Sequence, residues 1–211
     1  MTMSHDRRRD RGFTLVELLV VITIILLLAS FGISKFNAAQ RDAQLTASQD
    51  RLSQLHAQLL RYEREKKHLP EKSGPEFLLS VWGKPFLDKT KTNAEIFFCP
   101  SLTQPELTND EEQLDEVMVA DRIHYTGRNQ TDKNYRVGRS TMADAGKIII
   151  ACNKPLVDNE KPHAGNYLAV LYLDGATDHI GADQWGDDSE VLTIGPESPV
   201  EALRGLDPGD Q

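Results

Sequence analysis

The apolar and polar positions divide the chain into three regimes. From Phe13 to Ile33, FTLVELLVVITIILLLASFGI is apolar on every side of a helix and carries a single charge, Glu17. A run of about 20 such residues predicts a bilayer-spanning helix. From Ser34 to His68 the chain is polar, with larger apolar residues at Leu45, Leu52, Leu55, Leu59 and Tyr62. Those spacings of 7, 3, 4 and 3 predict one stripe on an amphipathic helix. No Gly or Pro interrupts 34–68, so the helix is expected to run on from the apolar segment. A continuous helix from Phe13 to His68 would be about 84 Å long. His56 and His68 are expected on its solvated side.

Beyond Leu69 the pattern turns strand-like. Glu95–Cys99, Arg122–Tyr125, Lys147–Cys152, Tyr167–Leu173 and Val191–Ile194 are rich in β-branched and aromatic residues. Asp174-Gly175, followed by Ala176–Ile180, predicts a hairpin turn. Helical periodicity returns only around Glu111–Val119. The expected fold is α+β: a long N-terminal helix, its first half transmembrane, with its second half packed on an antiparallel β-sheet head. The expected organisation is a cytoplasmic leader at 1–12, a spanning and assembly helix at 13–33, a helical stem at 34–68 and a globular head at 69–211.

Charge refines this layout. The 211 residues carry 24 Lys+Arg against 32 Asp+Glu, a net −8. That balance argues against a general nucleic-acid binder, which needs a concentrated positive surface. Arg7, Arg8, Arg9 and Arg11 precede the apolar run, placing the N-terminus in the cytoplasm and the head outside it. A secretory signal peptide, with a small-residue cleavage site near Ser30 and Gly32, and a plain signal anchor fit the same charge pattern. Neither explains Glu17, because a carboxylate inside an apolar helix is costly and needs a partner. Cleavage between Gly12 and Phe13 would create an α-amino group four residues before Glu17. That ammonium on one helix could neutralise Glu17 of a neighbour.

Arg11-Gly12-Phe13-Thr14-Leu15-Val16-Glu17-Leu18, followed by an unbroken apolar run, resembles the prepilin peptidase recognition sequence of type IV pilins and type II secretion pseudopilins. The resemblance implies cleavage after Gly12, N-methylation of Phe13 and use of Glu17 in subunit assembly. Arg11 would be read by the peptidase. The implied partners are prepilin peptidase, other pilin-like subunits in a homo- or hetero-filament, and an inner-membrane assembly platform. The implied location is the inner membrane, single-pass, with the head in the periplasm. Many members have a Pro near the position of Ser34, so how this helix bends is left open. Val81-Trp82-Gly83-Lys84-Pro85-Phe86 resembles the tryptophan-glycine turn of major pseudopilins, with Ser80 and Val81 in place of the usual Asp-Pro. A type II secretion pseudopilin is the favoured reading. A type IV pilus subunit, major or minor, stands second, and a membrane-tethered exported binding domain or enzyme is the reading from another class.

The remaining chemistry is sparse. Two cysteines, Cys99 and Cys152, exclude a disulfide framework and a four-Cys zinc site. Outside the cytoplasm the pair can form one bridge, and two buried thiols are the alternative. Cys99-Pro100-Ser101 and YLAVLYLDG resemble segments of pilin-like proteins in some bacterial lineages. Asp183, Asp187, Asp188 and Glu190 could supply oxygen ligands to calcium, although a solvated acidic loop is the commoner use of such a stretch. Some major pseudopilins bind calcium in a comparable loop, but their ligand pattern is not reproduced here. Glu106–Glu116 is a second acidic stretch. Cys99 or Cys152 with His163 or His179, and Ser140 with His163 and Asp174, can be paired on paper as nucleophile and base. None lies in a recognised catalytic motif, so no catalytic residue and no other cofactor is expected. His124, within an apolar strand pattern, is expected in the core or at an interface.

Overall fold

The computed structural model describes residues 13–138, 144–157, 160–165, 167–184 and 193–209; the side chains of 29–34, 164, 165 and 182 fall outside that description. Helix α1 runs over Leu15–Lys66. The chain divides into two compact units, Met1–Gln40 and Arg41–Gln211. The second half of α1 therefore belongs to the same unit as the head.

In that second unit the predicted stripe is the buried face. Leu52, Leu55 and Leu59 are fully buried, and Leu45 and Tyr62 pack against the same core. Each of those three leucines removes enough apolar surface from water to contribute about 1.5–3 kcal/mol. The helix stops where Lys67 turns into the left-handed region (φ 68°), and the Lys67 ammonium donates to the carbonyl of Arg64 at 2.8 Å. A side chain that reaches back in this way satisfies a carbonyl left open by the end of the helix.

His56 departs from expectation. It is buried, and its Nε2 lies 3.2 Å from the Leu173 carbonyl oxygen. The reason is the hairpin after β3: Gly175 (φ 94°) turns directly over the imidazole, and a Cβ there would sit 2.6 Å from His56 Cε1. His68 is exposed, as expected.

Three short helices follow: α2 (Pro75–Leu79), α3 (Lys91–Glu95) and α4 (Glu111–Val117). The strand expected over Glu95–Cys99 is not formed. Thr90 caps α3 by accepting from the Asn93 N–H at 3.3 Å, and Ile96–Cys99 continue as a turn whose side chains are all buried. A short, fully apolar run does not by itself distinguish strand from buried turn or helix. Asp110 caps α4 through the N–H groups of Glu112 and Gln113, so the weak periodicity around Glu111 marked a real helix.

The sheet has four antiparallel strands in the order β1 (Tyr125–Gly127), β2 (Ile149–Asn153), β3 (Tyr167–Tyr172), β4 (Thr177–Gly181). The expected strand at Arg122–Tyr125 begins only at Tyr125. The β3–β4 hairpin turns at Asp174-Gly175 as predicted, with Leu171 opposite Thr177. Thr193 and Ile194 are not in a strand, and Val191 lies outside the described residues.

Alternation along β3 feeds two cores. Ala169 and Leu171 join the large core that contains Leu52, Leu55 and Leu59. Leu168 and Val170 join a second cluster with Ile180, Leu203 and Leu206. The β2–β3 register shifts between Ile149 and Ala151. Ile150 and Ala151 consequently share the large core, whereas Ile149 and Cys152 face the small one.

Candidate functional site

At the N-terminus of α1, Thr14 and Glu17 close on each other. The Thr14 N–H and hydroxyl both donate to Glu17 Oε2 at 2.9 Å, and the Glu17 N–H donates back to Thr14 Oγ1 at 3.2 Å. This T-x-x-E arrangement is a reciprocal capping box, which satisfies donors that a helix start leaves open. Sequence reasoning looked for the partner of Glu17 on another molecule and missed the one three residues away. The signal that could have revealed it is Thr14 standing three residues before the acid, ahead of an apolar run.

The helix that this box starts presents apolar side chains in every direction. Phe13 and Leu15 are each 80% exposed, and the least exposed large apolar residue up to Leu28 is Val21, at 46%. Thr23 hides its hydroxyl by donating to the Leu19 carbonyl. A helix that is apolar all round, rather than along one stripe, needs an apolar environment on all sides. Among the described residues no helix is long and apolar enough to cross a membrane. The described apolar side chains run from Leu15 to Leu28, short of the roughly 20 residues a bilayer requires. The spanning helix expected over Phe13–Ile33 is thus not reached within the described side chains. Arg11 and Gly12 lie outside the described residues.

The sequence pair Gly12-Phe13, the capping acid Glu17 four residues after Phe13 and the all-round apolar helix form one continuous N-terminal pattern. Residues 7–33 match the prokaryotic N-terminal methylation motif, the signature of type IV pilins and pseudopilins. Beyond that motif, no curated protein and no solved structure matches the chain.

The cysteines are both free and both buried. The bridge left open by the sequence is not made, because the sheet separates the two side chains: Cys99 sits in the large core and Cys152 in the small one. Cys99 instead enters a polar nest. Its Sγ is 3.0 Å from Ser101 Oγ, 3.3 Å from Ser48 Oγ and 3.8 Å from His163 Nε2, and its N–H donates to His124 Nδ1 at 3.1 Å. His124 is buried, as expected. His163 is only 1% exposed, has a left-handed backbone (φ 50°) and donates its N–H to Ser101 Oγ at 2.9 Å. Burial, with a smaller push from His179, lowers its pKa to about 4. Burial raises the Cys152 thiol well above its ordinary value.

Of the nucleophile–base pairs written from sequence, Cys99 with His163 is therefore brought together, but in a fully buried position. Asp174 serves the hairpin by accepting from the Ala176 N–H at 3.0 Å. Ser140 lies outside the described residues, as do Asp187, Asp188 and Glu190 of the calcium candidates, while Asp183 is exposed in the 3-10 turn Ala182–Gln184. Among the described residues no group of three or more metal-ligating side chains converges.

The tryptophan-glycine segment forms a turn at the end of the stem. Gly83 (φ 89°) accepts from the N–H groups of Phe86 and Leu87, both at 3.1 Å. Phe86 stacks on Tyr62 at 5.0 Å between centroids, and Arg61 donates to its carbonyl at 2.9 Å. Trp82 packs edge-on to Phe97 and donates to Asp115 at 3.1 Å, and Lys89 pairs with the same carboxylate. That hydrogen-bonded ion pair holds the Asp115 carboxyl below its usual range.

Proposed function

We propose that this chain is a prepilin-like structural subunit of a type II secretion pseudopilus. It enters the inner membrane with its N-terminus in the cytoplasm and its head in the periplasm. Prepilin peptidase cuts between Gly12 and Phe13 and methylates the new amine. The mature subunit then joins a filament through the apolar part of α1, on an assembly platform that supplies the energy. The observation that carries this reading is the exposed, predominantly apolar surface from Phe13 to Leu28, with Glu17 its one charge, within the methylation motif at 7–33. Such a surface is satisfied first by lipid and then by neighbouring copies of itself. The tryptophan-glycine turn at the foot of the stem supports the secretion branch over other pilin-like systems. In this reading the chain is non-catalytic and carries no resident cofactor.

Mass spectrometry of the protein from its native membrane tests the proposal. The expected mature chain begins with N-methyl-Phe13. A chain that begins near Gly32, or at Met1, would refute it.

A further inference from the structure

Two clefts on the head share one wall. One, of about 520 Å3, is lined by Arg122, His124 and Pro105. The other, of about 510 Å3, is lined by Arg41, Gln44 and Lys161. Thr103 and Glu160 belong to both, so their contact partitions a single groove. The contact is a carboxylate clamp: the Thr103 N–H donates to Glu160 Oε2 at 2.8 Å and the Thr103 hydroxyl to Oε1 at 2.7 Å. Those two bonds also hold the Glu160 carboxyl below its usual range. Glu160 keeps its negative charge in this clamp, and the other formal charges lining the groove, those of Arg41, Arg122 and Lys161, are cationic. Among the described residues neither Arg41 nor Arg122 forms an ion pair, and both are exposed.

The same head displays the complementary charge. Glu106–Glu116 holds six acids and no base. Leu107, Leu114 and Met118 anchor this stretch in its own core, so its exposed acids Glu111, Glu112 and Glu116 point away from a segment that is held in place. Held in place and exposed, those three acids are available to another molecule.

We propose that the groove around Thr103 recognises carboxylates and that its partner is the acidic segment Glu106–Glu116 of a second copy, with Glu160 occupying the clamp until that segment arrives. The inference rests on the filament reading, which brings heads of neighbouring copies together. Opposite charges on such surfaces set orientation and register.

The test uses the full-length chain in neutral detergent micelles and a fluorescently labelled peptide of residues 106–116, read by anisotropy at low salt. Saturable binding is expected. The double variant Arg41→Glu, Arg122→Glu should weaken it by about tenfold or more, as expected for reversing charges across an interface. Glu160→Ala, which vacates the clamp, should strengthen it. Raising the salt should abolish it. No binding, equal binding to the double variant, or equal binding of a peptide with every Glu and Asp replaced by its amide would each overturn the proposal. Binding in this assay does not require processing at Gly12–Phe13. An unprocessed N-terminus and a silent groove are therefore separate failures.

Discussion

Replacing His163 by Asn should flatten the acid side of the protein's stability profile. The imidazole is buried beside Cys99 and Ser101, and its pKa falls from the ordinary 6.5 to about 4. In the unfolded chain the ring takes a proton near pH 6.5, whereas in the folded head it does so only near pH 4. Because the folded value is the lower one, the unfolded state binds more protons across that interval. Stability is complete above the unfolded value and is lost as pH falls towards the folded one. At about 1.36 kcal/mol per unit, the loss from this residue approaches 3 kcal/mol. Asn is the replacement of choice because residue 163 has a positive φ, which Asn tolerates better than most side chains. Urea unfolding of wild type and variant, followed by tryptophan fluorescence at several pH values between 7.5 and 4, measures the difference. Carboxylates such as Asp115 and Glu160, which are also held below their usual range, act equally in both proteins and cancel. If wild type and variant lose the same stability over this interval, the ring is not buried as described.

Three further outcomes follow from the packing. Leu55→Ala deletes a fully buried side chain between the stem and the sheet and should cost about 3 kcal/mol in denaturant unfolding. Gly175→Ala would place a Cβ against His56 at a backbone φ of 94°; a loss of about 1–3 kcal/mol is expected in the same assay. Both thiols should resist a water-soluble maleimide in the native protein and react fully once it is unfolded, because both are buried and unbridged; native labelling of either, or failure to label without reductant after unfolding, would contradict the placement of the cysteines on opposite faces of the sheet.

The parts of this fold that were legible in the sequence carry a local mark, either a one-sided period or a turn pair. The leucine stripe at positions 52, 55 and 59 has a period that only a helix satisfies, and the core takes those residues. The β3–β4 hairpin was marked by Asp174-Gly175 after the apolar run Tyr167–Leu173, and the hairpin forms there. Legibility failed where an apolar run has neither mark. Ile96, Phe97 and Phe98 are buried in a turn, and an apolar run with no polar face carries no period to read. It failed again for His56 and for the cysteines, because their environments are set by residues from other elements of the chain. His56 is covered by Gly175, and the sheet that separates Cys99 from Cys152 cannot be inferred from either neighbourhood.

Glu17 holds the most consequential ambiguity, and the structure supplies the means to resolve it. The acid closes a capping box with Thr14 within its own helix. A Glu17→Ala variant that assembled poorly could therefore have lost the start of its helix, the pairing with a neighbour's amine, or both. Glu17→Gln separates the two, since Gln can close the same box but brings no charge. If Glu17 pairs with the methylated terminus of an adjoining subunit, Glu17→Gln should still enter the membrane and be cleaved after Gly12. It should nevertheless give few filaments when these are sheared from cells and counted against wild type. If the acid serves only to start its own helix, Glu17→Gln should assemble like wild type and Glu17→Ala alone should fail. The first pattern is the expected one. An ammonium and a carboxylate brought together in a low-dielectric bundle each remove the other's desolvation penalty, and a neutral amide leaves the amine buried without a counter-charge.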